Sequence, residues 1–334
     1  MYSRYAHFES AYPTMTLICR KCQFLYKKEG SEGMAYRDLN THLRERFGTK
    51  VYKISLSTPF TCPNRDGTVG FGGCIFCSGA GSGNFAAMSA LPIKHQLSEA
   101  KARVKKKAGA DPRYVAYFQS FSSTYGDLDT QKRLFTAAVS DPEVVALSVA
   151  TRPDCLPKQV LELLAELNQI KPVWVELGFQ TAREDTAKLI RRGYENAVFQ
   201  KAVSDLHRYG LEVIVHLILG LPGEDHQDEI DSLSYVCDQK IHGVKFHLLH
   251  VLRGTDLERM DYTPLTQEEY VFRVTDLLQY VPKDVVIHRL TGDGDKRELV
   301  APLWSGDKKT VLNAITRRIR EEEIEQGAAL LEKI

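Results

Sequence analysis

Three cysteines, Cys62, Cys74 and Cys77, stand in one run, TCPNRDGTVGFGGCIFC, and they are the densest concentration of chemically reactive side chains in the 334-residue sequence. The eleven residues between Cys62 and Cys74 are rich in Gly, Pro, Asn and Asp, so the segment can fold back and turn all three sulfurs toward one point. Three clustered thiols admit few uses. A disulfide framework would pair them and belongs to a secreted chain, whereas the opening MYSRYAHFES has no apolar core of signal-peptide type. Structural zinc wants a fourth ligand. No cysteine follows Cys77 at finger spacing, and the nearest candidate, His95, sits inside an amphipathic helical pattern. A [4Fe–4S] cluster held by three thiolates fits better, because one iron keeps an open site at which a cofactor can bind. On the cysteines alone, the cluster, another metal and a purely structural role all stay open.

The other candidates are scattered. Cys19 and Cys22 form a CxxC near the start, a redox pair or half of a zinc site with no second half in view. Cys155 and Cys237 are isolated and read as small buried apolar side chains. Lysines and arginines gather at 101–107 (KARVKKK), 308–309 and 317–320, where they are either solvated helix faces or phosphate contacts.

These residues need a scaffold, and the hydrophobic pattern supplies one. Strand-like runs occur at 51–57, 113–118, 144–149, 173–178, 212–219, 244–251 and 285–290. Helical patterns lie between them, near 93–108, 130–139, 157–168, 183–208 in two pieces, 226–239 and 267–280, with a short amphipathic helix at 36–47 ahead of the first strand. Alternating strands and helices of this size mean an α/β fold of parallel strands joined by right-handed crossovers, either an open doubly wound sheet or a barrel. Polar residues favour the barrel. Gln119, Ser120, Thr151, Arg152, Asp154, Glu176, Gln180, His216, His247 and Arg253 all fall in or just beyond strand-like runs, and the cysteine loop follows the first strand, so a barrel rim would collect them into one site. The competing account is that they cap helices or sit satisfied in the core. Glu176, inside VWVELG, must either face the wet end of the barrel or find a partner.

Composition sets outer limits. With 43% apolar and 26% charged residues and a formal net charge of +1, the chain is an ordinary globular one whose charge balance names no partner. The longest apolar run, VIVHLILGLP, is too short to span a bilayer, so no membrane segment is expected. Seven cysteines without a secretory signal point to a reducing cytoplasm.

The run CPNRDGTVGFGGCIFC resembles the cluster loop of radical S-adenosylmethionine (radical SAM) enzymes, in the wide-spaced form of the Elongator catalytic-subunit-like branch. The likeness extends over about residues 36–325 and is to the YhcC/YtqA-type bacterial members. It is carried further by YFQSFSSTY at 117–125, TRPDCL at 151–156, ELGFQT at 176–181, RRGY at 191–194 and LILGLPGE at 217–224. It implies a partial or full TIM-like barrel, most simply (β/α)6, over 36–300, after a 1–35 extension and before a helical 301–334 extension packed on the core. It implies that Cys62, Cys74 and Cys77 hold a [4Fe–4S] cluster whose fourth iron takes the amino and carboxylate groups of S-adenosylmethionine.

The same resemblance distributes the remaining roles. Phe76 would line the adenine pocket, Gln119 would contact the methionyl end, Glu176 and Gln180 would reach ribose or methionyl atoms, and Arg152 or Arg192 would pair with the carboxylate. Gly220 and Gly223 would let the backbone approach adenine, although LPG is also an ordinary turn. The reaction implied is one-electron cleavage of the sulfonium to a 5′-deoxyadenosyl radical that abstracts hydrogen from substrate, fed by a reductant such as flavodoxin or ferredoxin. The implied substrate is tRNA, at the carbon-5 side chain of the wobble uridine. Since the sequence ends at Ile334 without an acetyltransferase domain, acetyl transfer is not expected. Two alternatives differ in kind: a radical enzyme acting on a small metabolite or protein, and a non-catalytic module in which the thiols hold zinc.

Overall fold

A computed structural model describes residues 35–331 except 80, 82–90, 108–110, 293 and 295. All but the last residue of the extension expected at 1–35, with Cys19 and Cys22, lies outside the described residues. In chain order the elements are α1 (Leu39–Phe47), β1 (Val51–Leu56), α2 (Ile93–Val104), β2 (Arg113–Phe118), α3 (Leu128–Val139), β3 (Val144–Thr151), α4 (Lys158–Asn168), β4 (Val173–Gln180), α5 (Glu184–Leu189), α6 (Asn196–Arg208), β5 (Glu212–Leu219), α7 (His226–Asp238), β6 (Gly243–Leu248), β7 (Val251–Leu252), α8 (Gln267–Leu278), β8 (Val286–Arg289), β9 (Leu299–Ala301), α9 (Lys308–Glu321) and α10 (Ala328–Leu331). Seven strands form one parallel sheet in the order β1-β2-β3-β4-β5-β6-β8, and β7 pairs with β9 in a separate antiparallel ribbon. The sheet is the partial TIM-like barrel of the expectation, six strand–helix units with a seventh strand at the far edge.

Alternation along each strand explains both faces. One set of residues, including Leu56, Phe118, Leu147, Val175, Val215 and Phe246, points outward into the main core shared with helices α2–α4 and α6–α9. The opposite set points inward and is layered. Val51, Val115, Ala146, Trp174 and Ile214 make an apolar bottom layer, plugged by Leu43 of α1. Each such side chain removed from water contributes about 1.5–3 kcal/mol. Two residues further along the same strands stand Lys53, Tyr117, Ser148, Glu176, His216 and Lys245, a polar layer laid directly on that floor. Two residues further again come Ser55, Gln119, Ala150, Gly178, Ile218 and His247, which line a cavity open at the C-terminal ends of the strands.

Local chemistry fixes where the helices start and stop. Asp38 caps α1 by accepting from the Asn40 and Thr41 amides, and Gly48 ends it with φ of 69°. Reciprocal capping boxes open α7 (Asp225 with Asp228) and α8 (Thr266 with Glu269). After the barrel, α9 packs beside α8: the Trp304 indole donates to the Leu265 carbonyl ahead of α8, and Gln326 donates to the Pro282 and Val285 carbonyls beyond it. No helix among the described residues is long and apolar enough to cross a membrane.

Candidate active site

The cysteine loop leaves the end of β1 and closes over the barrel mouth through its own backbone. The Arg65 amide reaches the Cys62 carbonyl (2.9 Å), Gly73 reaches Asn64 (2.8 Å), and Cys77 reaches Cys74 (3.0 Å). Gly73 has φ of 87°, a conformation that glycine adopts without a Cβ clash. The three thiols are free and all line the cavity, about 630 Å³ in volume. Burial, reinforced by Cys77, pushes the Cys74 thiol up to about 12, and burial likewise raises Cys77. Both are therefore protonated until a cation takes the proton's place. Asn64 Nδ2 sits 3.6 Å from Cys74 Sγ and Arg65 Nη1 sits 3.6 Å from Cys77 Sγ, so donors already face the sulfurs. Among the described residues no trio of His, Cys, Asp or Glu is drawn together tightly enough for a single metal ion. His95, the fourth ligand considered for zinc, is exposed on α2 away from the cavity. Three half-buried thiols sharing one chamber mouth, each free to take its own iron, suit a cluster.

Of the residues anticipated at the strand ends, Gln119, Thr151, Arg152, Glu176, Gln180, His216 and His247 line this cavity, as does Phe76, whereas Ser120, Asp154 and Arg253 do not. The expected contacts change once donors and acceptors are counted. Arg192 is 1% exposed. Its five N–H groups reach the carbonyls of Tyr194, Phe179 and Thr181, Asn196 Oδ1 and Glu184 Oε2. No donor remains for a ligand carboxylate, which corrects that half of the expectation. Arg192 instead clamps the end of β4, where Gln180 takes a φ of 70°. That left-handed backbone costs roughly 1–2 kcal/mol and turns Gln180 into the cavity with its Oε1 buried and unpartnered. Arg152 is clamped by the two oxygens of Asp154 (2.8 and 2.7 Å) and donates to the Arg192 carbonyl (2.8 Å), leaving two of its five N–H groups.

Glu176 is also corrected. It is fully buried; Oε1 accepts from Lys53 and Ser148, and Oε2 from Lys245 and His216 (2.9 Å to the latter). Its acceptor positions are filled, so it holds the polar layer together and does not reach ribose. Burial alone would raise its pKa, but Lys245, Lys53 and His216 outweigh burial and hold it well below the usual carboxylate range. Burial, followed by Lys245, lowers His216 to about 4, so its imidazole is neutral near pH 7.

Gly220 and Gly223 do not line the cavity. Gly220, with φ of 79°, receives Glu229 on its amide (2.8 Å) and Tyr262 on its carbonyl (2.6 Å), and a Cβ there would stand 3.0 Å from Leu265. Gly223, with φ of 80°, offers its carbonyl to Arg183. The turn, which the LPG sequence already allowed, is their role. Sequence reasoning missed Asn64 and Arg65, although both follow Cys62 directly. It also missed Lys53 and Lys245, although a lysine inside an aliphatic strand is the same signal that singled out Glu176.

Residues 61–236 match the radical SAM superfamily, and residues 241–321 match the radical SAM C-terminal domain. The chain belongs to the radical SAM superfamily. Its similarity to the YtqA protein of Bacillus subtilis is 42% identity across 87% of this chain and 92% of that protein, and to the YhcC protein of Escherichia coli K12 it is 35% across 86% and 93%. A tRNA uridine(34) acetyltransferase of Dehalococcoides mccartyi is 30% identical over 53% of this chain, a stretch that makes up 38% of that enzyme. Among solved structures, the archaeal Elp3 of Methanocaldococcus infernus with its N-terminus deleted superposes with a TM-score of 0.62 at 19% identity, covering 83% of this chain and 64% of that one, a likeness of fold alone. The protein is thus a radical SAM enzyme with a [4Fe–4S] cluster and S-adenosylmethionine as cofactors, and the non-catalytic zinc module falls away.

Proposed function

We propose that this radical SAM enzyme modifies the carbon-5 side chain of the wobble uridine in tRNA. The observation that carries the reading is an exposed aromatic on the cysteine loop that covers the barrel: Phe71 is 78% exposed, so a base drawn out of an RNA loop would have a ring to stack on. The partial similarity to a tRNA uridine(34) acetyltransferase supports the same substrate class.

With cluster and cofactor bound, the chemistry supplied is reductive cleavage of the sulfonium and abstraction of a hydrogen atom from an unactivated carbon. The chain's own part is to hold, orient and keep dry. Cys62, Cys74 and Cys77 hold the cluster, with Asn64 and Arg65 donating to two of the sulfurs. The unpartnered Gln180 Oε1 and the two remaining N–H groups of Arg152 face cofactor polar atoms, and Gln119 and Phe76 complete that wall. Ile75, Ile190, Leu221, Leu249, Val251 and Leu257 form an apolar seal behind the loop, which keeps water from the reacting carbon. An external one-electron donor, flavodoxin or ferredoxin in kind, serves the cluster.

The basic stretches divide. Lys101 is ion-paired with Asp141 and Glu143 (2.7 Å each), and the Lys107 carbonyl accepts from Tyr52 near the start of β1, so 101–107 lies at the end of the barrel opposite the mouth. Lys308 and Lys309 open α9 close to Trp304 and the start of α8, on the mouth side. Reversing charge at 308–309 is therefore expected to weaken tRNA binding more than the same change at 105–107.

The test is anaerobic reconstitution with S-adenosylmethionine, a reductant and precursor-modified tRNA, followed by mass analysis of nucleosides and cofactor. A changed wobble nucleoside supports the reading. Cofactor cleavage with unchanged tRNA across precursor states refutes it and leaves the enzyme class standing. Phe71→Ala should weaken tRNA binding by about 1–3 kcal/mol, the worth of one base stacked on an aromatic ring, at unchanged iron content.

A further inference from the structure

Arg65 brings to the cysteine loop a charge that no carboxylate cancels. Arg152 is ion-paired with Asp154 and Arg192 with Glu184, whereas Arg65 has no carboxylate partner among the described residues. Its Nη1 spends one N–H on the Ser78 carbonyl (2.9 Å) and directs the other at Cys77 Sγ (3.6 Å). Asn64 makes the same kind of contact to Cys74 Sγ (3.6 Å), from a side chain in a residue that is 4% exposed. Two of the three cluster-holding sulfurs therefore face side-chain N–H groups, one charged and one neutral.

The loop is packed around these two donors. A Cβ at Gly73 would stand 3.3 Å from Arg65 Cγ, and a Cβ at Gly70 would stand 2.6 Å from Asn64 Oδ1, so a larger residue at either position would push on a donor. The Phe121 ring lies 5.3 Å from the Arg65 guanidinium and holds it by a cation–π contact. Phe121 reaches that place with φ of 52°, a backbone that bulky residues rarely adopt. Strain of this kind persists only where the surroundings fix it, and it gathers at functional sites.

We infer that Arg65, supported by Asn64, sets the reduction potential of the [4Fe–4S] cluster, raising it toward the reach of an external one-electron donor. Electrostatics gives the sign. Reduction adds one electron to a cluster that three thiolates already make anionic, so a cation and N–H dipoles aimed at sulfur stabilise the reduced form more than the oxidised one. A hydrogen bond from a charged donor is roughly twice as strong as one between neutral groups, so Arg65 contributes more than Asn64. The inference rests on the cluster held by the cysteine loop and is independent of tRNA as substrate.

The test is redox titration of the cluster-loaded protein without S-adenosylmethionine, poised with titanium(III) citrate and mediators and followed by the EPR signal of the reduced cluster. Arg65→Met should make reduction at least tenfold less favourable, a downward shift of about 59 mV or more for a one-electron couple. Arg65→Lys, which keeps the charge, should recover part of the shift, and Asn64→Ala should shift the potential down by less than Arg65→Met. Iron and sulfide content, and cofactor affinity of the oxidised protein by equilibrium dialysis, should stay at wild-type values in Arg65→Met. An unchanged or raised potential in Arg65→Met, or a larger downward shift in Asn64→Ala, overturns the assignment. Loss of cofactor affinity with the potential unchanged overturns it too, because the guanidinium would then serve S-adenosylmethionine. Should Arg65→Met not hold the cluster, Arg65→Gln keeps an N–H without the charge: a downward shift supports the role and an unchanged potential refutes it. Should neither variant hold the cluster, electron–nuclear double resonance on the reduced wild type carrying ¹⁵N-arginine decides, a ¹⁵N coupling supporting the role and its absence refuting it. None of these readouts uses tRNA, so a failed wobble-uridine assay and a failed tuning role are told apart.

Discussion

Removing the carboxylate from the polar layer should be far more damaging than removing one of its lysines. In Glu176→Gln, Lys53 and Lys245 stay buried with no counter-charge, and Ser148 and His216 lose a charged partner. Breaking a buried ion pair from one side costs about 3–5 kcal/mol, a large share of the roughly 5–15 kcal/mol that holds a domain folded. Lys245→Met leaves Lys53 and Glu176 as a one-to-one pair and inserts a flexible apolar chain, so its cost should be only about 1 kcal/mol, the net value of the lost hydrogen bonds offset by relieved repulsion. Anaerobic urea unfolding of cluster-free protein near pH 7 measures both. Glu176→Gln should be the less stable variant by about 2 kcal/mol or more. The double variant should recover part of the loss, because it removes one of the stranded cations. Equal costs, or Lys245→Met the worse of the two, would refute the reading of Glu176 as the shared acceptor that holds the layer together.

Other outcomes follow from the same geometry. Cys77→Ala should abolish iron and sulfide content and cofactor cleavage together, whereas Cys155→Ala and Cys237→Ala should retain the cluster, since neither sulfur lines the cavity; iron and sulfide analysis decides. Arg192→Lys should lower stability and the cofactor affinity together, because a lysine cannot reach five acceptors and the turn at Gln180 would relax; intact stability with selectively lost affinity would restore a direct ligand role. His226 bridges Glu229 (3.1 Å) and Asp276 (2.8 Å), and although burial opposes its charged form, the two carboxylates raise its pKa. A raised folded-state pKa gives stability that is complete below the unfolded value of about 6.5 and fades as pH rises through the folded value. His226→Gln should therefore cost more at about pH 6 than at about pH 8.5 in urea titrations, and a pH-independent cost would contradict the bridge.

Much of this protein was decided along the chain itself. The spacing of aliphatic residues set the seven strands of the sheet and the helices between them, because period-two and period-3.6 burial are local signals. The cysteine loop was legible for the same reason: its ligands, glycines and turn residues are neighbours in sequence, and its order relative to TRPDCL, ELGFQT and RRGY carried the family. What folding alone decided is pairing across strands. Glu176 appears on the chain as one carboxylate in VWVELG. Only the barrel brings Lys53, 123 positions away, and Lys245, 69 positions away, onto its two oxygens. Arg192 reads as a donor for a ligand until its five N–H groups are counted against the end of β4, and the Gly220 turn reads as a cofactor approach until Tyr262 and Leu265 are seen packed on it. Side-chain type and period are properties of a sequence, but a hydrogen bond or ion pair is used up only once its partner is in place. Partners here come from strands far apart in the chain, so which polar groups remain free for cofactor and substrate was settled by the tertiary structure.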